Sequence, residues 1–148
     1  MEKHRLVISK VSKWLDANEY EGQISGTING FQISCHLLDM SGKSWEYLTP
    51  GSEIDVNMWI ACVGDNPSKI DSEIYKFELY PKDRYELLYI VCGKVIGING
   101  NEQLTLSTNF PTPINVEMEI NPREYEQYKF SLGNFIKFIG LLEIRIIE

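Results

Sequence analysis

The sequence lacks long apolar runs, and this absence limits where the protein can work. No stretch of the 148 residues reaches the length of about 18 apolar residues that a membrane-spanning helix needs. Residues 1–10 carry charges without a long apolar segment after them, so we expect that they are not a signal peptide. We therefore expect a cytoplasmic protein with no membrane partner.

Histidine and cysteine, the side chains most used for catalysis and metal binding, are also scarce. The chain has two histidines, His4 and His36, and three cysteines, Cys35, Cys62 and Cys92. The odd number, wide spacing and apolar neighbours of the cysteines predict buried reduced thiols rather than disulfides. No Cys-x-x-Cys or His-x-x-x-His spacing occurs. We therefore predict no catalytic residue, no metal site and no cofactor, and a protein that is not an enzyme.

The composition is that of a globular protein with an acidic surface. Hydrophobic residues make up 43% and charged residues 24% of the chain, which is enough apolar material for a core. The formal net charge is −7. A field of this sign repels phosphate backbones and favours a basic partner.

Alternating apolar and polar residues predict that most of the chain forms strands. After the turn signal Pro50-Gly51, the residues Ile54, Val56, Met58 and Ile60 fall on one side of a half-buried strand. A similar strand follows Gly133 and runs to the C-terminus. The other predicted strands cover residues 3–15, 20–28, 31–37, 75–79, 85–98, 104–107 and 114–120, which makes about nine in all.

Only one helix is predicted. Asn121 has the side chain of an N-cap, Pro122 suits the first helical position, and Glu124 can complete the cap. This pattern predicts a short helix near 121–130. A polar stretch around Trp45 suggests a single further helical turn. The fold class is therefore all-β with a minor α component, and mostly antiparallel.

Two glycine-rich hairpin patterns suggest an internal repeat. The segment Gly22–Gly26 followed by Asn29-Gly30 parallels the segment Gly93–Gly97 followed by Asn99-Gly100. Asn-Gly favours the two-residue turns that connect hairpin strands. The chain is predicted to be one compact unit over 1–148, either with two duplicated halves, 1–81 and 85–148, or with unrelated hairpins that share the same turn chemistry.

The order of three strands, a short helical piece and a strand that begins with glycine resembles the oligonucleotide/oligosaccharide-binding fold (OB-fold). Glycines midway along the first strands of that fold let its sheet coil, and a helix often precedes its fourth strand. The resemblance implies small β-barrels in both halves. It also implies that binding of single-stranded nucleic acid, by stacking of bases on aromatic side chains, is one function to consider.

A candidate binding surface follows from basic and aromatic residues in polar surroundings. The first strand is basic, and Trp59 lies out of phase with the apolar residues of its strand. The alternative is that these lysines protect a sheet edge from aggregation and that the tryptophans cover the core. The candidate surface consists of Lys10, Lys13, Trp14, Trp45 and Trp59.

The leading functional hypothesis is a non-enzymatic domain that binds another protein, with the acidic surface facing a basic partner. In this respect the chain resembles, at the level of class only, toxin-neutralising immunity proteins. One alternative is an OB-like module for single-stranded nucleic acid, which the net charge disfavours. Another is a small-ligand-binding protein or an enzyme of unspecified type. Self-association through the long apolar strands is also open.

Overall fold

The computed structural model describes residues 3–13, 21–38, 44–46, 48–63, 67–81, 87–100, 103–118 and 129–147. Its elements are ten strands and one 3-10 turn at Ser44–Glu46. The strands are β1 (His4–Lys13), β2 (Glu21–Ile28), β3 (Phe31–Leu38), β4 (Glu53–Cys62), β5 (Ser68–Ile70), β6 (Lys76–Leu79), β7 (Leu88–Asn99), β8 (Gln103–Ser107), β9 (Ile114–Glu117) and β10 (Phe135–Ile146).

The ten strands belong to one hydrogen-bonded sheet that is mostly antiparallel, which confirms the predicted all-β class. Residues 64–72 have the polar composition of a loop, yet they contain β5. This strand of three residues pairs with β10 through its main chain, which a polar composition does not reveal. The predicted helix near 121–130 falls almost entirely outside the described residues. Among the described residues, no helix has the length and apolar character needed to cross a membrane.

The chain forms two compact units, 1–58 with 142–148 and 59–141. These bounds differ from the predicted halves 1–81 and 85–148. The difference arises because β4 and β10 each begin in one unit and end in the other, so the first unit consists of two segments while the second is continuous in sequence. Whether the halves arose by duplication stays a prediction.

The first unit is a ring of five strands. β1 pairs with β2 and with the 53–56 part of β4, and β2 pairs with β3. β3 runs parallel to the 143–144 part of β10. The amide of Ile147 donates to the carbonyl of Asp55 over 2.9 Å, and this bond closes the ring. Five strands is also the number in the OB-fold barrel.

The second unit has the same pattern of pairing. β7 pairs with β8 and with the 135–141 part of β10, and β8 pairs with β9. β9 runs parallel to the 59–61 part of β4. The amide of Val63 donates to the carbonyl of Ile139 over 3.0 Å. β5 and β6 are additional strands that pair with β10 and β7.

A glycine turn recurs in both units with the same hydrogen bonds. Gly51 has φ 91° and donates to the carbonyl of Ile8 over 2.8 Å, while Gly133 has φ 90° and donates to the carbonyl of Val95 over 2.8 Å. Ile8 and Val95 also both lie beside an irregularity in the strand register. β1 therefore corresponds to β7, and the predicted match of the β2 glycines with those of β7 was wrong.

The core of each unit consists of the inward-facing residues of these strands. In the first unit, Leu6, Ile24, Cys35 and Val56 are each completely buried. In the second unit the ring of Phe77 stacks on that of Tyr89, with 4.6 Å between their centroids. These interiors are apolar, so polar side chains that could bind a ligand lie mainly on the outer sides of the strands.

Candidate functional site

A group of lysines surrounds a buried thiol on the outer side of the second unit. Cys92 of β7 lies directly across from Lys76 of β6 on one side and from Lys137 of β10 on the other. Lys137 in turn faces Ser68 of β5. Because directly opposed residues of paired strands project from the same face of a sheet, these side chains share one surface. With Lys94, two residues beyond Cys92 on β7, they form what we call the lysine face.

The positive charge of the lysine face is not balanced by ion pairs within the described part of the chain. None of Lys76, Lys94 and Lys137 forms an ion pair with a carboxylate among the described residues. Burial raises the pKa of the Cys92 thiol, the charges of Lys137 and Lys76 lower it, and the charge of Glu78 acts with burial. Both ammonium groups therefore make the electrostatic potential at the thiol more positive.

Two aromatic rings border the lysine face. Phe135 is the direct cross-strand partner of Lys94. The ring of Tyr75 meets that of Phe135 edge to face, with 5.4 Å between the centroids and 81° between the planes. Tyr75 is 47% exposed and immediately precedes Lys76. The lysine face thus has an apolar border at one end.

A second polar cluster lies in the first unit around His36. The Nε2 atom of His36 lies 3.1 Å from Oε1 of Glu21, and its Nδ1 atom lies 3.8 Å from Oε1 of Glu143. The second distance is that of an ion pair and is too long for a hydrogen bond. Only 11% of the His36 side chain is exposed, compared with 35% for Glu21 and 28% for Glu143.

The two carboxylates favour the charged form of this histidine. The interaction with Glu143 is the largest cause that raises the pKa of His36 above 6.5, and the charge of Glu21 acts in the same direction. Burial opposes them. Two carboxylates and one imidazolium leave the cluster with a net negative charge, which suits a cation or a hydroxyl-rich ligand better than an anion.

Hydroxyl and amide groups continue the cluster along β2 and β3. Nε2 of Gln23 donates to Oγ of Ser34 over 2.8 Å, and Oγ of Ser25 lies 3.3 Å from the same atom. The second unit has a corresponding contact on β8 and β9, where Oγ1 of Thr105 donates to Oδ1 of Asn115 over 3.2 Å. These contacts cross-link paired strands, so they have a structural role whether or not a ligand binds.

The thiols do not have the properties of catalytic nucleophiles. Burial raises the pKa of Cys35 and of Cys62 to about 12 in each case, so neither is a thiolate at neutral pH. Sγ of Cys35 donates to the carbonyl of Ile24, whereas the neighbouring His36 contacts Glu21. All three cysteines are free, as the sequence predicted. Among the described residues, no group of three or more His, Cys, Asp or Glu side chains could hold a metal ion.

The residues of the candidate surface predicted from the sequence lie on several elements. Lys10 is exposed on β1, and Lys13 ends that strand, although its side chain lies outside the described residues, as does Trp14. Trp45 is half-buried in the 3-10 turn, and its Nε1 atom is buried without a hydrogen-bond partner among the described residues. Trp59 is only 5% exposed, which leaves little of its ring for a ligand. This surface stays a prediction.

The sequence reasoning did not find the lysine face. Lys76, Lys94 and Lys137 lie on three different strands, and only the register of β6, β7 and β10 brings them around one thiol. The available signal was a lysine at an outward position of each predicted strand. That signal does not specify which strands are neighbours.

Comparison with protein families and with curated proteins gives no match to this chain. Among solved structures, it is similar to the molybdate-bound crystal structure of the cytoplasmic molybdate-binding protein ModG. The TM-score is 0.53 at 11% sequence identity, and the match covers 99% of this chain and 96% of that one. At this identity the likeness establishes a shared fold.

The sequence predicted a protein partner and left nucleic acid and a second copy of the chain as alternatives. The likeness to a small-ligand-binding protein overturns that prediction. The similar structure is that of a protein that binds molybdate, a small oxyanion. The error came from treating the net charge of −7 as a property of the binding site. Net charge describes the field at a distance, whereas a site depends on the charges within a few ångströms.

Proposed function

We propose that the chain is a cytoplasmic binding protein for a small oxyanion of the molybdate type. The observation that carries this proposal is the likeness to ModG over nearly the whole of both chains. Because that likeness is one of fold, the ligand class needs independent support from the chemistry of this chain. The three lysines of the lysine face supply it, since they place positive charge on an otherwise acidic protein.

We further propose that the protein binds this ligand without transforming it. The raised pKa values of Cys35 and Cys62, each about 12, keep both thiols protonated and poorly nucleophilic at neutral pH. The third thiol, Cys92, also has a raised pKa and is 3% exposed. A cytoplasmic location agrees with the predicted reduced state of these cysteines.

Thermal unfolding in the presence of oxyanions tests the proposal. A ligand that binds only the folded state at about 100 times its Kd adds about 2.7 kcal/mol to the free energy of unfolding. For a chain of this length, that corresponds to a rise of about 5–10 °C in Tm. Molybdate, tungstate, sulfate and phosphate should be compared as sodium salts, with sodium chloride at matched ionic strength as the control.

We expect at least one of these oxyanions to raise Tm well beyond the chloride control, and isothermal titration calorimetry to give a saturable isotherm with the same ion. Equal Tm values in all five salts, together with flat titrations, would refute the proposed function. A rise that sodium chloride reproduces would refute it as well, because it would reflect screening of the net charge rather than binding.

A further inference from the structure

We propose that the lysine face of the second unit is the oxyanion-binding site, with Lys76 and Lys137 as the principal charged ligands of the anion. This inference rests on the proposed function and names the place where it is carried out. Nothing in the likeness to ModG identifies these residues. The lysine face is chosen from the register, the burial and the charges of this chain.

The first step is the placement of the two lysines. Both are direct cross-strand partners of Cys92, one from β6 and one from β10. Strands in a sheet lie about 4.8 Å apart, so the Cα atoms of Lys76 and Lys137 are separated by about 10 Å across β7. The flexible four-carbon stems of both side chains allow the ammonium groups to approach one ion over the thiol from opposite sides.

The second step is that neither Lys76 nor Lys137 forms an ion pair with a described carboxylate, although the charge of Glu78 also reaches Cys92. Lys3 and Arg5, by contrast, are already paired, since Lys3 lies 3.5 Å and Arg5 lies 2.9 Å from Asp55. The His36 cluster contains two carboxylates, which would repel an anion. Lys76 and Lys137 have no described acidic partner, so their charges remain available for a ligand.

The third step concerns the groups that complete the site. Ser68 faces Lys137 and offers a hydroxyl donor, and the thiol of Cys92 offers a weak one. Lys94 adds a third positive charge two residues from Cys92. The edge-to-face pair of Tyr75 and Phe135 lies at the border beside Lys94 and gives this end of the site an apolar surface.

These features favour a compact, doubly charged tetrahedral oxyanion over a large polyanion. The two lysines flank Cys92 from the strands on either side of β7, whereas a nucleic-acid backbone would need positive charges in an extended row. The glutamate Glu78 lies two residues from Lys76 on the same side of β6 and limits the positive surface in that direction. The structure therefore assigns the site to one small ion per chain.

The test compares oxyanion binding by the wild type with binding by Lys76→Gln, Lys137→Gln and the double variant. In water, the attraction between a dianion and one ammonium about 4 Å away corresponds to about 30-fold in Kd. We therefore expect each single substitution to weaken binding by about ten- to thirtyfold, measured by calorimetry at low salt. The double variant should show no measurable binding in the same titration.

Lys69→Gln is the matched control. Lys69 neighbours Ser68 on β5, but its side chain projects from the opposite face, with Nζ 5.9 Å from the centroid of the Phe130 ring. Lys69→Gln changes the net charge by the same amount as Lys76→Gln. Because it does so on the opposite face of the sheet, we expect a Kd close to that of the wild type. Lys76→Arg and Lys137→Arg retain the charge and should bind within severalfold of the wild type. Their urea midpoints, together with those of the Gln variants, show whether each variant is folded.

The outcomes separate this inference from the proposed function. If the wild type binds an oxyanion and the folded double Gln variant binds it equally well, the lysine face is not the site, but the proposed function stands. A Lys69→Gln variant as weak as the double variant would also overturn the inference, because only net charge would then matter. A wild type that binds none of the oxyanions overturns both proposals.

Discussion

Raising the pH from 6 to 8 should destabilise the first unit, because His36 must then lose its proton. The pKa of His36 in the folded chain lies above 6.5, owing to Glu143 and then Glu21. A histidine with a raised folded-state pKa contributes stability that is fully present below the unfolded-state pKa. That contribution is lost as the pH rises through the folded-state pKa. The predicted decrease therefore begins near pH 6.5 and continues above it.

The size of the effect follows from the contacts of the imidazole. Nε2 is 3.1 Å from Glu21, and a hydrogen bond between charged groups contributes roughly 1.5–3 kcal/mol. Glu143, at 3.8 Å, adds an attraction that burial of the ring partly cancels. Each unit by which the folded-state pKa exceeds the unfolded-state value is worth about 1.4 kcal/mol. We expect a total loss of about 1–3 kcal/mol across the window.

The loss should concentrate where β10 meets β3. This parallel contact has two residue pairs, and one of them is Glu143 with His36. Urea unfolding at intervals between pH 6 and 8 measures how the free energy of unfolding changes as His36 loses its proton. Glu143→Gln keeps the shape of the side chain but removes its charge, so this variant should show a smaller pH dependence than the wild type.

Two controls define what would contradict this reasoning. Glu53→Gln removes an exposed carboxylate that pairs with Arg5 in the same unit. It should therefore leave the slope of the free energy of unfolding against pH unchanged. If Glu143→Gln retains the full slope, or if the wild type is equally stable at pH 6 and pH 8, then the carboxylates do not hold the proton on His36. A rise in stability with pH would reverse the sign of the argument.

Two further predictions concern the glycine turns and the thiols. Gly51→Ala and Gly133→Ala should each lower the free energy of unfolding by about 1–2 kcal/mol, because both glycines have a positive φ that alanine disfavours. An added Cβ would meet no atom within 4 Å at either position, so the cost comes from the backbone conformation and not from a clash. Variants as stable in urea as the wild type would contradict this. At pH 8, the thiol of Cys35, which is completely buried and has a pKa of about 12, should react with iodoacetamide only after unfolding, and rapid labelling of Cys35 in the native chain would refute its burial.

The strands and turns could be predicted from the sequence because each depends mainly on residues that are close together in the chain. Alternation identified β4 and β10, and Asn29-Gly30 identified the β2–β3 turn, where both residues have positive φ. The glycine that starts each of these long strands was also correctly paired with its counterpart, since Gly51 and Gly133 make the same turn. Each of these features spans fewer than about ten residues, within the reach of turn and strand preferences.

The arrangement of strands could not be read in the same way. β4 and β10 continue from one unit into the other, so the units do not follow the order of the sequence. The correspondence between β1 and β7 depends on a register shift and a long-range hydrogen bond to the glycine turn. Nothing in the local composition of β1 resembles that of β7, and the shared Asn-Gly turns instead indicated β2.

The lysine face could not be predicted from the sequence for the same reason, since it depends on which strands are neighbours. It also shows why net charge was a poor guide to the class of ligand. A charge of −7 describes the protein as seen from beyond a Debye length of about 8 Å at physiological ionic strength. Inside that distance, the charges that act on Cys92 are those of Lys137 and Lys76, followed by the opposing charge of Glu78. The acidic composition is therefore compatible with anion binding, provided that the register of a few strands gathers unpaired lysines at one point. It follows that the ligand class of such a protein is determined by cross-strand neighbours, which composition does not record.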